Sequence, residues 1–236
     1  MQSCGWRHAL CLGCLAFLVV CLASGNATAQ TGPTVDRSAE NLMVVLRESF
    51  GGASKQDEML KPLGKLRTRL PDGREVEVEL ASFAFLGDMH IRFVFDATGF
   101  MSNATPQDLA RLQVTPAEAL DLAIRNIKRV YGDPVAKPLM AGIMQVEGKS
   151  PDLNSSYFLD RGFWQNLLLQ YPDGILVGVP KRGGLVFAAM SDRQGVGALQ
   201  RGIASLYASS QQMRVSSALY LFKDDHWSVF QPPQAQ

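Results

Sequence analysis

The chain has 236 residues, with 23 Lys and Arg against 22 Asp and Glu and a formal net charge of +1. A balance this close to neutral excludes the net-basic footprint of a nucleic-acid-binding domain. All four cysteines (Cys4, Cys11, Cys14 and Cys21) fall at the N-terminus, so the rest of the chain has no disulfide framework, thiol nucleophile or thiolate metal site.

The N-terminal segment has the three parts of a secretory signal. Arg7 and His8 supply a basic start, Ala9 to Ser24 is apolar or small throughout, and Ala27-Thr28-Ala29 satisfies the small-x-small cleavage rule. This predicts a signal peptide over residues 1–29, a mature chain starting at Gln30, and a protein exported to the periplasm or secreted. The apolar run of about 16 residues falls short of the roughly 20 that span a bilayer, so no membrane span is expected after cleavage. Val20 is too bulky to precede a lipidated Cys21. Cleavage removes Arg7 and no acidic residue, leaving 22 basic against 22 acidic residues. Residues 30–230 suit one domain, and Gln231 to Gln236 (QPPQAQ) reads as a short disordered tail.

Ser38 to Phe50 reads as a first helix, with Leu42, Val45, Leu46 and Phe50 on one face and Gly51-Gly52 stopping it. Leu63 to Leu70 and Arg74 to Leu80 alternate around Pro71-Asp72-Gly73, a hairpin with Val76, Val78 and Leu80 inward and Glu75, Glu77 and Glu79 outward. Phe83 to Met101 fits either period: Ile91, Phe93 and Phe95 alternate as in a strand, while Phe93, Phe100 and Met101 also suit a helix. Two helices follow. The second has Thr115 as N-cap, Pro116 at its first position, Glu118 closing a capping box, and Gly132-Asp133-Pro134 at its end. Its inner face is Leu120, Ala123, Ile124, Ile127 and Tyr131.

In the C-terminal half, Leu139 to Val146 and Ser156 to Leu159 read as strands and Phe163 to Leu169 as a helix. Ile175 to Val179 and Leu185 to Ala189 form a hairpin around Lys181-Arg182-Gly183-Gly184. Val196, Leu199, Ile203, Leu206 and Tyr207 mark an amphipathic helix. A last hairpin pairs Ser217 to Phe222 with Trp227 to Phe230 across Asp224-Asp225. Hairpins interleaved with helices predict an α+β fold, with a mixed or mainly antiparallel sheet and helices packed on it.

The stretch Val179-Pro180-Lys181-Arg182-Gly183-Gly184-Leu185-Val186-Phe187 resembles the bacterial domain of unknown function 1444 family. Thr68 to Arg74, Thr115 to Ile127 and Leu219-Tyr220-Leu221-Phe222 with Trp227 are similar to it in the same order, so the resemblance covers most of the mature chain. Two features depart from the family: the leader, since its members are mostly cytoplasmic, and Gly183, where they tend to carry an acidic residue. The resemblance thus implies a divergent, exported branch. The family has no established activity, so the resemblance supplies no catalytic residue.

The chemistry-bearing residues are few. His90 and His226 are the only histidines after the leader, and no spacing of His, Cys and carboxylates suggests a metal site. No nucleophile elbow, Ser-x-x-Lys pair or phosphate-binding glycine loop occurs. No cofactor is expected. Lys181 and Arg182 place two cations on one turn, able to hold a small anion, although hairpin tips commonly expose such residues. Asp224-Asp225-His226 pairs carboxylates with an imidazole, yet Asp-Asp is also ordinary turn chemistry. Asp160 and Arg161 precede Trp164 and can line a pocket with it, or simply cap the following helix. Phe163, Trp164, Tyr157, Tyr220 and Trp227 offer an aromatic groove or, more ordinarily, a core. The residues favour a non-catalytic binding or interaction module of the cell envelope, its partner an envelope protein or a small anionic ligand. The alternative is a hydrolase using Asp160, Asp192 or Asp225, brought together by the fold.

Overall fold

The computed structural model describes residues 34–49, 55–97 and 99–234. The segment read as a signal peptide, with Ala27, Ala29, Gln30 and all four cysteines, lies outside them. Among the described residues, thirteen strands pair wholly antiparallel, and helices pack on them in an α+β fold. Val35–Gln236 is one compact unit.

The first sheet runs in the order β1 (Leu42–Glu48), β6 (Met89–Ala97), β5 (Ser82–Ala84), β2 (Lys61–Pro62), with β7 (Phe100–Asn103) also paired to β6. The second runs β13 (His226–Gln231), β12 (Leu219–Lys223), β10 (Ile175–Lys181), β11 (Gly184–Ala189), β9 (Ile143–Glu147), β8 (Val135–Met140). A separate ribbon pairs β3 (Lys65–Arg69) with β4 (Glu75–Glu79). The helices are α1 (Pro106–Arg111), α2 (Pro116–Tyr131), α3 (Arg161–Leu168) and α4 (Arg193–Ala208).

Period-2 alternation in the second sheet serves two cores. Ile175, Val177 and Val179 of β10, Leu185 and Phe187 of β11, and Tyr220 and Phe222 of β12 join the main cluster with the first sheet. The residues between them, Leu176, Val186, Ala188 and Leu219, pack with Leu199 and Ile203 of α4 in a second cluster. Gly178 lets α4 approach closely: a Cβ built there would lie 2.6 Å from Ile203 Cδ1.

The expected first helix is a strand. Leu42, Val45 and Leu46 satisfy helical spacing, but Met43 and Val44 between them are buried as well, and Phe50 and Gly51-Gly52 lie outside the described residues. α2 and a 3-10 segment (Pro151–Leu159) both pack against β1 and cover it. β1 ends its sheet, and side chains take up its carbonyls: Asn126 Nδ2 donates to Leu42 O at 2.9 Å, Ser156 Oγ to Val44 O at 2.8 Å, and Arg47 Nη1 to Leu46 O at 2.8 Å. Such cover blocks pairing with another chain.

Two further expectations change. Leu139 to Val146 is a hairpin, β8 and β9, turning at Ala141-Gly142, where both residues have positive φ (46° and 79°). Ser156 to Leu159 is part of the 3-10 segment. Its short polar side chains bond outside groups: Asn154 Oδ1 accepts from Gly148 N at 2.9 Å, and Ser156 Oγ reaches β1. This competition disfavours a sheet ladder. Phe83 to Met101, open between two periods, forms strands β5 to β7.

The locally signalled elements form as expected. α2 has the Thr115–Glu118 capping box in both directions, and Gly132 is its C-cap. The β3–β4 and β12–β13 hairpins form about Pro71 to Gly73 and Asp224-Asp225, the two aspartates at φ 50° and 56°. Val76, Val78 and Leu80 are only half-buried, because the β3–β4 ribbon stands apart from both sheets. Gln231 closes β13, and Gln234 N donates to Ser217 Oγ at 3.0 Å.

Candidate functional site

A concentration of cationic side chains lies where the end of β1 meets the start of β6. Antiparallel register sets Arg47 opposite His90, and Arg92 opposite Ser82 on β5. Cross-strand partners project to the same face, so Arg47, His90, Arg92 and Ser82 share one. Arg92 Nε donates to Ser82 Oγ at 3.2 Å, and Arg92 Nη2 lies 3.4 Å from His90 Nε2. The third arginine comes from the β10–β11 turn. Arg182 N donates to Met213 O at 2.9 Å, and Arg182 O accepts from Ser155 N at 3.1 Å, so the turn is held from both sides. Gly183 makes this fit possible: a Cβ there would lie 2.9 Å from Pro151 O.

The electrostatics are those of like charges partly removed from water. Burial pulls the Arg47 pKa down to about 10, with further lowering from Arg182 and Arg92 and an opposing effect from Asp152. Arg92 is lowered by burial and then by Arg182. Burial, Arg92 and Arg47 bring His90 down to about 4, against a hydrogen bond with the Glu48 backbone. Among the described residues, no carboxylate lies within ion-pair distance of Arg47, Arg92 or Arg182, although twelve ion pairs form elsewhere. The buried Arg182 Nε–H has no acceptor among them either. Buried donors are nearly always satisfied, and Arg214 Nε is a second one without an acceptor.

Arg182 is the one member of this cluster singled out from the sequence as a ligand residue; Lys181 stays exposed and bridges to the Arg214 backbone. The signal for the others was a cation placed inside apolar strand sequence. His90 and Arg92 alternate with Met89, Ile91 and Phe93, and Arg47 follows the apolar run of β1.

The other expected site residues meet in a different arrangement. Arg161 donates to Asp225 Oδ1 at 3.0 Å and to Asp225 O at 2.5 Å, and pairs with Glu58, a residue the sequence did not single out. Gln165 Nε2 also donates to Asp225 Oδ1 at 3.0 Å, while Glu58 Oε1 accepts from Trp227 N at 2.9 Å and lies 3.3 Å from His226 Nδ1. Hydrogen bonds from Arg161 and Gln165 hold the Asp225 carboxyl below its usual range. This is a clamp of satisfied charges joining α3, the β12–β13 turn and the segment before β2, with the His226 side chain 64% exposed.

Trp164 is core: its indole N–H is shared between Tyr157 O at 3.1 Å and Phe158 O at 3.0 Å, and none of its surface is exposed. Tyr157, Tyr220 and Trp227 are buried with it, so these aromatics form packing and no groove. Asp160 is the N-cap of α3, accepting from Phe163 N and pairing with Lys128 at 3.1 Å. Asp192 caps α4 through Gln194 N and Gly195 N. Each of the three aspartates weighed for hydrolysis thus has a separate local role. Among the described residues, no group of three or more His, Cys, Asp or Glu is placed to hold a metal ion, and no helix is long and apolar enough to cross a membrane.

Comparison with protein-family models, curated proteins and solved structures gave no match.

Proposed function

We propose that the protein is a non-catalytic binding module of the bacterial cell envelope, and that it holds an anionic ligand at Arg47, Arg92 and Arg182. One observation carries this reading: three half-buried guanidiniums lie within each other's field without a carboxylate ion pair among the described residues. Gathering like charges in low dielectric is unfavourable unless something compensates it, and an anion does so through charge-assisted, forked hydrogen bonds. Export and membership of a divergent branch of the domain of unknown function 1444 family belong to the same reading. They are supported by the leader and by the motifs around Lys181-Arg182.

A thermal melt tests the binding claim. In a chloride-only buffer, added citrate, sulfate or phosphate is expected to raise the melting temperature saturably, because a ligand that binds only the folded state stabilises it by mass action. The rise is expected to vanish in Arg92→Gln. An equal rise in that variant, or none in the parent protein with any of the three anions, contradicts the proposal. N-terminal sequencing of protein from the periplasm or medium checks export: the expected first residue is Gln30.

A further inference from the structure

A buried triangle of oxygens joins the two sheets. Asp88 sits in the turn between β5 and β6 of the first sheet; Tyr220 lies on β12 of the second, and Ser216 just before that strand. Ser216 Oγ donates to Asp88 Oδ1 at 2.5 Å, Tyr220 Oη donates to the same oxygen at 3.0 Å, and the two hydroxyls lie 2.8 Å apart. All three residues are buried. Gly87 makes the approach possible: its φ is 63°, and a Cβ there would lie 2.5 Å from Tyr220 Oη.

Three oxygens in mutual contact need three protons to make three hydrogen bonds. Serine and tyrosine bring one each, and an ionised carboxylate brings none. Ala218 N donates to Ser216 Oγ at 2.9 Å from outside the triangle and adds no proton to it. With Asp88 ionised, both hydroxyls point at the carboxylate, and the Ser216–Tyr220 contact sets lone pair against lone pair. A proton on Asp88 supplies the missing bond. The surroundings favour that form: burial raises the Asp88 pKa against the pull of the two hydroxyls, and Glu48 at the end of β1 adds like charge. Among the described residues no Lys or Arg forms an ion pair with Asp88. The nearby polar groups are engaged elsewhere. Lys55, whose backbone pairs with Gly87, turns its Nζ to Asp57. Tyr207 of α4, with Arg214 over its ring, donates to Glu48, and His90 lies against Arg92.

We propose that Asp88 is a proton switch between the two sheets: on acidification its carboxyl takes up one proton, which closes the ring with Ser216 and Tyr220 and tightens the junction. The switch is independent of the anion site. Its proton is bound at higher pH in the folded chain than in the unfolded one. The stabilisation is therefore complete below the ordinary aspartate range and is lost as pH rises through the folded value. The tightened segment also borders the end of β10, where Ser216 N donates to Val179 O at 3.0 Å and Val215 N to Pro180 O at 3.2 Å.

Carbon NMR of the full-length protein labelled at aspartate tests the proposal by following the Asp88 carboxyl, assigned through its own backbone, between about pH 8 and pH 3. Its midpoint is expected to lie above that of the same carboxyl in the urea-unfolded chain. Hydrogen exchange at the Ala218 amide, corrected for its intrinsic pH dependence, is expected to slow as that proton is taken up. In Asp88→Asn, which has no proton to gain, the slowing is expected to vanish. The urea midpoint of the parent is expected to rise relative to Asp88→Asn over the same range; both chains contain His90, so its opposite dependence cancels. Should Asp88→Asn fail to fold, Tyr220→Phe opens the ring while keeping the carboxyl and most of the volume, and is expected to abolish the slowing at Ala218. A carboxyl that titrates at or below its unfolded midpoint overturns the proposal. So does a raised midpoint with Ala218 exchange that is indifferent to the proton.

Discussion

Nη2 of Arg92 lies 3.4 Å from Nε2 of His90, two residues earlier on the same face of β6. Arginine only donates, so the imidazole must present a lone pair there and stay neutral. With burial and a second cation, Arg47, this brings the His90 pKa down to about 4 from its ordinary 6.5. The unfolded chain therefore takes up the proton at higher pH than the folded one. The His90 contribution to stability is complete above about pH 6.5 and is lost as pH falls towards 4. Urea unfolding near pH 7 and near pH 4.5 is expected to show the parent losing roughly 2 kcal/mol more than His90→Gln. Equal losses would show that the imidazole titrates freely in the folded protein.

Replacing a cluster arginine by an apolar residue of similar length is expected to stabilise the ligand-free protein. Arg47 is held at about 10 by burial and by Arg182 and Arg92, so its charge is unfavourable where it sits. Arg47→Met removes that charge and keeps most of the volume. A gain of roughly 0.5–2 kcal/mol in denaturant unfolding is expected, with loss of the anion-linked rise in melting temperature. A loss of stability above about 1 kcal/mol would mark Arg47 as structural.

Gly178 is expected to tolerate no side chain. Its missing Cβ leaves room for Ile203 Cδ1, so Gly178→Ala forces α4 away from β10 or Ile203 out of its rotamer. A cost of roughly 1–3 kcal/mol follows from overpacking, and Ile203→Val, which removes the clashing methyl, is expected to recover part of it. Additive effects of the two changes would contradict the close approach.

The Glu58–Arg161–Asp225 clamp is expected to act on stability. Arg161 is 42% exposed and Asp225 55%, so solvent screens the pairs. A double-mutant cycle over Arg161→Ala and Glu58→Gln is expected to give a coupling of about 1 kcal/mol or less. Loss of the anion-linked rise in melting temperature in either variant would place the ligand here instead of at Arg92.

What could be read from the sequence divides by the range of the forces involved. The α2 capping box and the Asp224-Asp225 turn depend on residues within a few positions, and both form as read. β1 misleads because Leu42, Val45 and Leu46 satisfy helical spacing by chance within a run buried on all sides by α2 and the 3-10 segment. The β8–β9 turn hides because Ala141 adopts a positive φ where Asn or Asp is usual, leaving Gly142 as its single turn residue. The same limit applies to the site. Arg182 stood out beside Lys181 on a recognisable turn, whereas Arg47 lay in the misread segment and Arg92 in the stretch open between two periods. Their meeting depends on the β1–β6 register and on a turn some ninety residues further along, which only tertiary pairing decides.

The most direct measurement is an NMR titration that follows arginine side-chain Nε–H signals as glycerol 3-phosphate, and then citrate, is added. Saturable movement is expected at Arg47, Arg92 and Arg182, with the Arg182 signal moving most because its Nε–H gains an acceptor. The exposed Arg67 and Arg69, and Arg161 in its ion pairs, are expected to stay still. Cluster signals that do not move with either anion, or that move no more than those of the exposed arginines, would contradict an anion site at this end of the sheet.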